Sequence, residues 1–362
     1  MAPPAPSGPS AVTRSWLPSP ARRRLLAGAV LVAGSAALPV LRAQPKLEKS
    51  KVTVAVDGRS ALYYLPLTIA EQLGYFRAEG IDLQIVEAIG AAAALQAITT
   101  GVADVCSGAY EQTLFLQSKN QMFQSFVLQG RAPQIAFGVS TKAMPGYKAM
   151  AELRGKKIGV SALGAPSHMI ASRVLAQGGV KPDEVSFVAV GMGASALQAL
   201  RSGQVEAMSN IEPLITMMEQ KGEFKVISDT RTLKGTGAVF GGPMPAACLY
   251  AASDFVQKNT NTCQAMAHAI VHALKWLQTA GPGDIIKTVP ESYLLNDRGL
   301  YLASFEKVRE SLSPDGVMPD DGPRTALRAM AAFDNSVKED RIRLSRTFTN
   351  NFAQRAKERF KA

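Results

Sequence analysis

The feature that most restricts this chain is an echo of itself. Residues 94–107 read Ala-Leu-Gln-Ala-Ile-Thr-Thr-Gly-Val-Ala-Asp-Val-Cys-Ser, and residues 196–209 read Ala-Leu-Gln-Ala-Leu-Arg-Ser-Gly-Gln-Val-Glu-Ala-Met-Ser. Gly101 matches Gly203, Asp104 matches Glu206 and Ser107 matches Ser209. Each copy reads as a helix closed by a C-terminal Gly, then a short strand, then a loop. A period of 102 residues is far too long for a solenoid and implies two lobes of similar architecture.

The apolar pattern fits that division. Strands are expected at 52–56, 81–86, 103–106 and 123–128, alternating with helices that start near Pro66, Ala91 and Glu111. A second series begins with a strand at 157–161 and continues through helix 168–177, strand 185–190, helix 194–201 and strand 206–208. The βαβα alternation predicts α/β architecture: two doubly wound lobes, each a parallel sheet with helices on both faces. The remainder, from a long helix at 254–279 to the C-terminus, reads as helical. Lobe 1 is expected to be discontinuous, 46–133 plus 246–362, with lobe 2 at 134–245 inserted through a two-crossing hinge near 132–140 and 241–248.

Residues 1–43 read as an export signal peptide. A Pro- and Ser-rich start leads to Arg22-Arg23-Arg24 and an apolar run from Leu25 to Leu41, with a break at Ala43. The adjacent arginines followed by Leu-Leu resemble a twin-arginine export signal. Removing this segment takes away five arginines and no acid, so the formal charge of +11 falls to +6. That is too weak for a nucleic-acid partner. Three cysteines, Cys106, Cys248 and Cys263, do not make a disulfide framework, and at least one stays unpaired. Of the histidines, His268 and His272 share a helix face at a zinc-compatible spacing without a third ligand, so no metal is expected.

Five fragments carry a family resemblance across nearly all of the chain after residue 43. They are Leu62-Tyr-Tyr-Leu-Pro-Leu-Thr-Ile-Ala-Glu-Gln-Leu-Gly-Tyr-Phe-Arg-Ala-Glu-Gly-Ile-Asp82, Gly101-Val-Ala-Asp104, Leu153-Arg-Gly-Lys-Lys-Ile-Gly-Val160, Gly203-Gln-Val-Glu-Ala207 and Glu212-Pro213. In this order and spacing they resemble the periplasmic solute-binding proteins of ABC transporters in the nitrate, sulfonate and taurine group, relatives of the thiamine-pyrimidine precursor binders. The resemblance implies a type II periplasmic binding protein fold in the periplasm. It also implies an extracytoplasmic protein that captures a small anionic solute and delivers it to a membrane ABC permease, as a monomer and without a cofactor. A thiamine-pyrimidine-like or aromatic carboxylate solute is the alternative.

In open α/β sheets ligands sit beyond the C-terminal strand ends, where loops run into helix N-termini. The loops so placed predict ligand contacts from Arg59, Tyr63, Tyr64, Gly90, Ala91, Ser107 and Tyr110 in one lobe. The other lobe supplies Ser161, Gly164, Ala165, Ser167, His168, Gly193, Asn210 and Glu212. Small residues at helix starts would let backbone N–H groups approach an anion. Tyr63 or Tyr64 could stack on or hydrogen-bond a ligand, and Arg59 and Arg131 are candidate fixed cations. Because related folds include desulfinases, Cys106 at a strand end is a candidate nucleophile, with His168 across the cleft. Against catalysis, Cys106 aligns with Met208 in the echo, as an apolar filler would. A ligand sensor is the third class of reading, and a binding protein without enzyme activity is the expectation.

Overall fold

The computed structural model describes residues 45–362, so the expected export signal at 1–43 lies outside the described residues. Among the described residues ten strands form two five-stranded sheets. The first five strands are β1 (Lys51–Asp57), β2 (Asp82–Ala88), β3 (Val105–Ala109), β4 (Phe123–Leu128) and β5 (Ile135–Ser140). The rest are β6 (Lys157–Val160), β7 (Ser186–Ala189), β8 (Ala207–Ile211), β9 (Phe224–Asp229) and β10 (Ala247–Ala252). The sheet orders are β2-β1-β3-β10-β4 and β7-β6-β8-β5-β9, so each strand of one sheet has a counterpart at the same place in the other. The echo is this symmetry written in the sequence.

The matched residues do matched work. Asp104 accepts the Thr53 N–H at 3.0 Å while Thr53 returns its carbonyl to the Asp104 N–H. Glu206 accepts the Lys157 N–H at 2.9 Å, and the Lys157 carbonyl takes the Glu206 N–H. In both copies the carboxylate just ahead of one strand takes a backbone N–H of the neighbouring strand. Gly101 and Gly203 both take φ +77°, the left-handed conformation that ends a helix without Cβ strain.

The sheets are not wholly parallel, as the alternation predicted. β10 lies antiparallel between β3 and β4, and β5 lies antiparallel between β8 and β9. The two segments expected as crossings therefore run on into strands of the sheets they enter. Both are apolar and buried, β5 along its whole length, as strands covered on two faces must be. The expected helix at 254–279 is broken at Asn259 into Ser253–Lys258 and Thr260–Thr279. The longer piece packs its apolar face on the helices Leu65–Gln72 and Asn351–Phe360 over the first sheet.

The C-terminal helices do not keep to one sheet. Helix Gly322–Phe333 packs on both Glu111–Ser118, beside the first sheet, and Pro166–Gln177, beside the second. Glu310 accepts the Leu233 N–H at 2.9 Å, and Lys307 pairs with Glu219 at 3.8 Å. All three cysteines are free and buried. His268 pairs with Glu79 at 3.0 Å, His272 stacks between Tyr75 and Phe360, and no metal-ligand cluster occurs among the described residues. No helix among them is long and apolar enough to cross a membrane.

Candidate functional site

The C-terminal ends of β1, β2 and β3 face those of β6, β7 and β8 across a cavity of about 510 Å³. Its first wall carries Asp57 at the end of β1, Tyr63 and Tyr64 in the turn Leu62–Tyr64, Glu87 to Ala91 at the end of β2, and Cys106 to Ala109 on β3. Gln112 and Tyr250 complete it. The second wall is made of Ile135, Ser161, Ala162, Ala165, Pro166, Ser167, Gly191, Met192 and Ile211. Gly58 and Met192 meet across the cleft: a Cβ on Gly58 would lie 2.9 Å from the Met192 Cε. Beyond that contact is a second space of about 370 Å³, lined by Gly193, Leu197, Glu212, Pro213, Met217 and Tyr293 among others.

The expected contacts divide accordingly. Tyr63, Tyr64, Gly90, Ala91, Ser107, Ser161, Ala165 and Ser167 line the main cavity. Gly193 and Glu212 line only the second space. The Arg59 guanidinium is held in an ion pair with Glu71 and is not part of the cavity wall, and Arg131 donates to the Glu310 carbonyl away from the cavity. His168 accepts the Gly164 N–H at 3.0 Å and packs on Phe187 and Phe333, so these two residues close their own turn and do not form the wall. Tyr110 is buried with its hydroxyl 2.6 Å from Thr347 Oγ1, and Asn210 donates to the Gly191 carbonyl at 2.9 Å. Both hold the frame behind the wall.

Glu212 is the largest departure from expectation. It forms a fully buried ion pair with Arg231, which also binds Glu219 at 2.8 Å and Asp229 at 2.7 Å. Burial opposes the Arg231 charge, but the bonds to Asp229 and Glu219 and the Glu212 charge outweigh it and hold its pKa above the usual value. Glu212 also takes the Thr216 N–H and hydroxyl at 3.0 and 2.9 Å. With both oxygens engaged, this acid fixes the turn after β8.

Residues that the sequence reading did not single out set the electrostatics. Asp57 and Glu87 are the only charged side chains on the cavity wall among the described residues. The register sets Asp57 opposite Ala88 and Val56 opposite Glu87, so the two acids stand one step apart at the ends of neighbouring strands, and both line the cavity. Asp57 Oδ1 accepts the Gly90 N–H at 3.0 Å and Glu87 Oε1 accepts the Arg59 N–H at 3.1 Å. Burial raises the pKa of Asp57, the Gly90 bond lowers it, and the Glu87 charge raises it again, leaving it above the ordinary carboxylate range. Burial pushes the Tyr63, Tyr64 and Tyr250 phenols well up. It also drives the Cys106 thiol to about 12, which leaves it protonated and a poor nucleophile.

Known proteins place this geometry. A protein of solved structure from Bordetella bronchiseptica RB50 is 51% identical with a TM-score of 0.83, matching 88% of this chain and 100% of its own. The alkanesulfonate-binding protein SsuA from Xanthomonas axonopodis pv. citri, bound to MOPS, is 16% identical with a TM-score of 0.63, over 84% of this chain and 100% of that one. The desulfurization enzyme DszB has the same fold at 16% identity and a TM-score of 0.60, over 86% and 100%. The fold is thus the two-sheet α/β fold of the periplasmic binding proteins. The NMT1/THI5 like family matches residues 61–280, and the chain belongs to that family.

Proposed function

We propose that this protein is an extracytoplasmic solute-binding protein that closes its two lobes on a small molecule and hands it to a membrane ABC permease. The observation that carries the reading is one cavity walled by equivalent strand ends of two equivalent sheets. Segments 46–133 and 246–362 would form one lobe and 134–245 the other, moving about the entries to β5 and β10. The helices that touch both lobes limit the motion to one in which these contacts slide rather than break. Periplasmic location, export through the twin-arginine route and a monomeric state complete the reading. Replacing Arg22 and Arg23 by Lys should leave precursor in the cytoplasm.

An anionic solute of the sulfonate, taurine or nitrate type keeps two supports. SsuA shares the fold, and the helices Ala91–Thr99 and Pro166–Gln177 begin at the cavity. The wall charge opposes it, since Asp57 already occupies the Gly90 N–H at the first of those helix starts. An enzyme like DszB would need a reactive group here, and Cys106 is raised out of the reactive range. A thermal-shift screen tests the reading. A solute at about a hundred times its dissociation constant adds about 2.7 kcal/mol of stability. Loss of uptake of that labelled solute on gene deletion would tie binding to transport, and normal uptake would leave a sensor.

A further inference from the structure

Resting on the solute-binding reading, we infer that the solute carries a positive charge: an organic amine or related cation with an apolar or aromatic body. The cavity is the site, and its walls choose the charge. Asp57 and Glu87 both line the cavity from the ends of the neighbouring strands β1 and β2, each with one carboxylate oxygen bonded to a backbone N–H and the other without a described partner. No Lys or Arg among the described residues lines the cavity, and the nearby Arg59 guanidinium is held by Glu71. A bare oxyanion would meet two carboxylates and no side-chain cation.

An independent feature points the same way. Tyr63, Tyr64 and Tyr250 line the same cavity, Tyr63 and Tyr64 edge-to-face with centroids 5.0 Å apart. Aromatic walls beside carboxylates favour a cation that presents apolar carbon to the rings and its charge to the acids. Ser107, with no exposed surface, accepts from Gln129 Nε2 at 2.9 Å and keeps its own hydroxyl proton without a described acceptor. The same wall therefore offers a solute one hydroxyl donor.

Three probes of one size and different charge test this: benzylamine, benzyl alcohol and benzenesulfonate, at millimolar concentration, by thermal shift and calorimetry on the chain without its export signal. Benzylamine should bind, with affinity falling as salt rises. Asp57→Asn and, as a second variant, Glu87→Gln should each weaken it by roughly tenfold or more. Preference for benzenesulfonate overturns the inference. So does benzyl alcohol binding as well as benzylamine, or unchanged benzylamine affinity in both variants. Silence of all three probes also overturns it; a hit of another charge from the wider screen, if it contracts the molecule, would still uphold solute binding.

Discussion

The two walls of the cavity are chemically unlike although the sheets behind them are alike. The first presents carboxylates, three tyrosines and a buried serine; the second presents small side chains, two isoleucines and a methionine, with no charge. Register makes the contrast sharp. Val56 pairs with Ser107 and Val160 with Ser209, so Ser161 occupies in the second sheet the place that Asp57 holds in the first. Under the proposed function, the duplicated scaffolds are put to different uses: one wall selects and the other covers.

The buried acids differ in the same sense. In the second half Glu212 is neutralised by Arg231, and the cluster stiffens the turn that leads out of β8. In the first half Glu111 is buried at the start of helix Glu111–Ser118 with no ion-pair partner among the described residues. Burial raises its pKa to about 7. If this contrast is right, Arg231→Ala should be the most damaging single substitution of all. It leaves Glu212 and Asp229 uncompensated and should cost about 3–5 kcal/mol in urea denaturation. A loss under about 1 kcal/mol would mean that the cluster is ornamental.

Glu111 should act through pH. Its raised value means that the folded state holds the proton more tightly than the unfolded chain, which releases it near 4.5. The stability from that proton is complete below pH 4.5 and is lost as pH rises through about 7. Glu111→Gln should flatten this part of the stability curve and raise stability at pH 8 by about 3 kcal/mol. An unchanged slope between those values would show that Glu111 does not set it.

Smaller effects probe the cleft itself. Gly58 has φ +67° and faces Met192, so Gly58→Val would strain the turn and wedge the two walls apart. Solute affinity should fall by roughly tenfold, about 1.4 kcal/mol, measured by calorimetry. Ser161→Ala should cost least, under about 1 kcal/mol, because the Ser161 hydroxyl is already engaged with Ser167 at 2.7 Å. A larger loss from Ser161→Ala than from Asp57→Asn would invert the division of labour between the walls.

The duplicated architecture was legible because the echo and the alternating strands and helices are local signals. β5 and β10 were not. Their apolar runs carry no period, and only pairing between segments far apart in the chain places them in the sheets. The same reason hid Tyr250, which reaches the cavity because β10 lies beside β3. The loops at strand ends do line the cavity, but its charge comes from Asp57, two residues before the expected Arg59. Only the pairing of β1 with β2 brings the Glu87 end of one strand to the Asp57 end of the other, and a neighbouring helix supplies the Glu71 that pairs with Arg59. Glu212 read as a ligand contact because its partner Arg231 lies 19 positions along the chain, beyond β9.

If one wall binds the solute and the other closes over it, binding must change the shape of the molecule. Small-angle scattering of residues 44–362, with and without a saturating solute from the screen, tests this most directly. A smaller radius of gyration is expected with solute, and no contraction in Gly58→Val at the same occupancy. A profile that stays the same at full occupancy of the unaltered chain would contradict closure of one wall over the other.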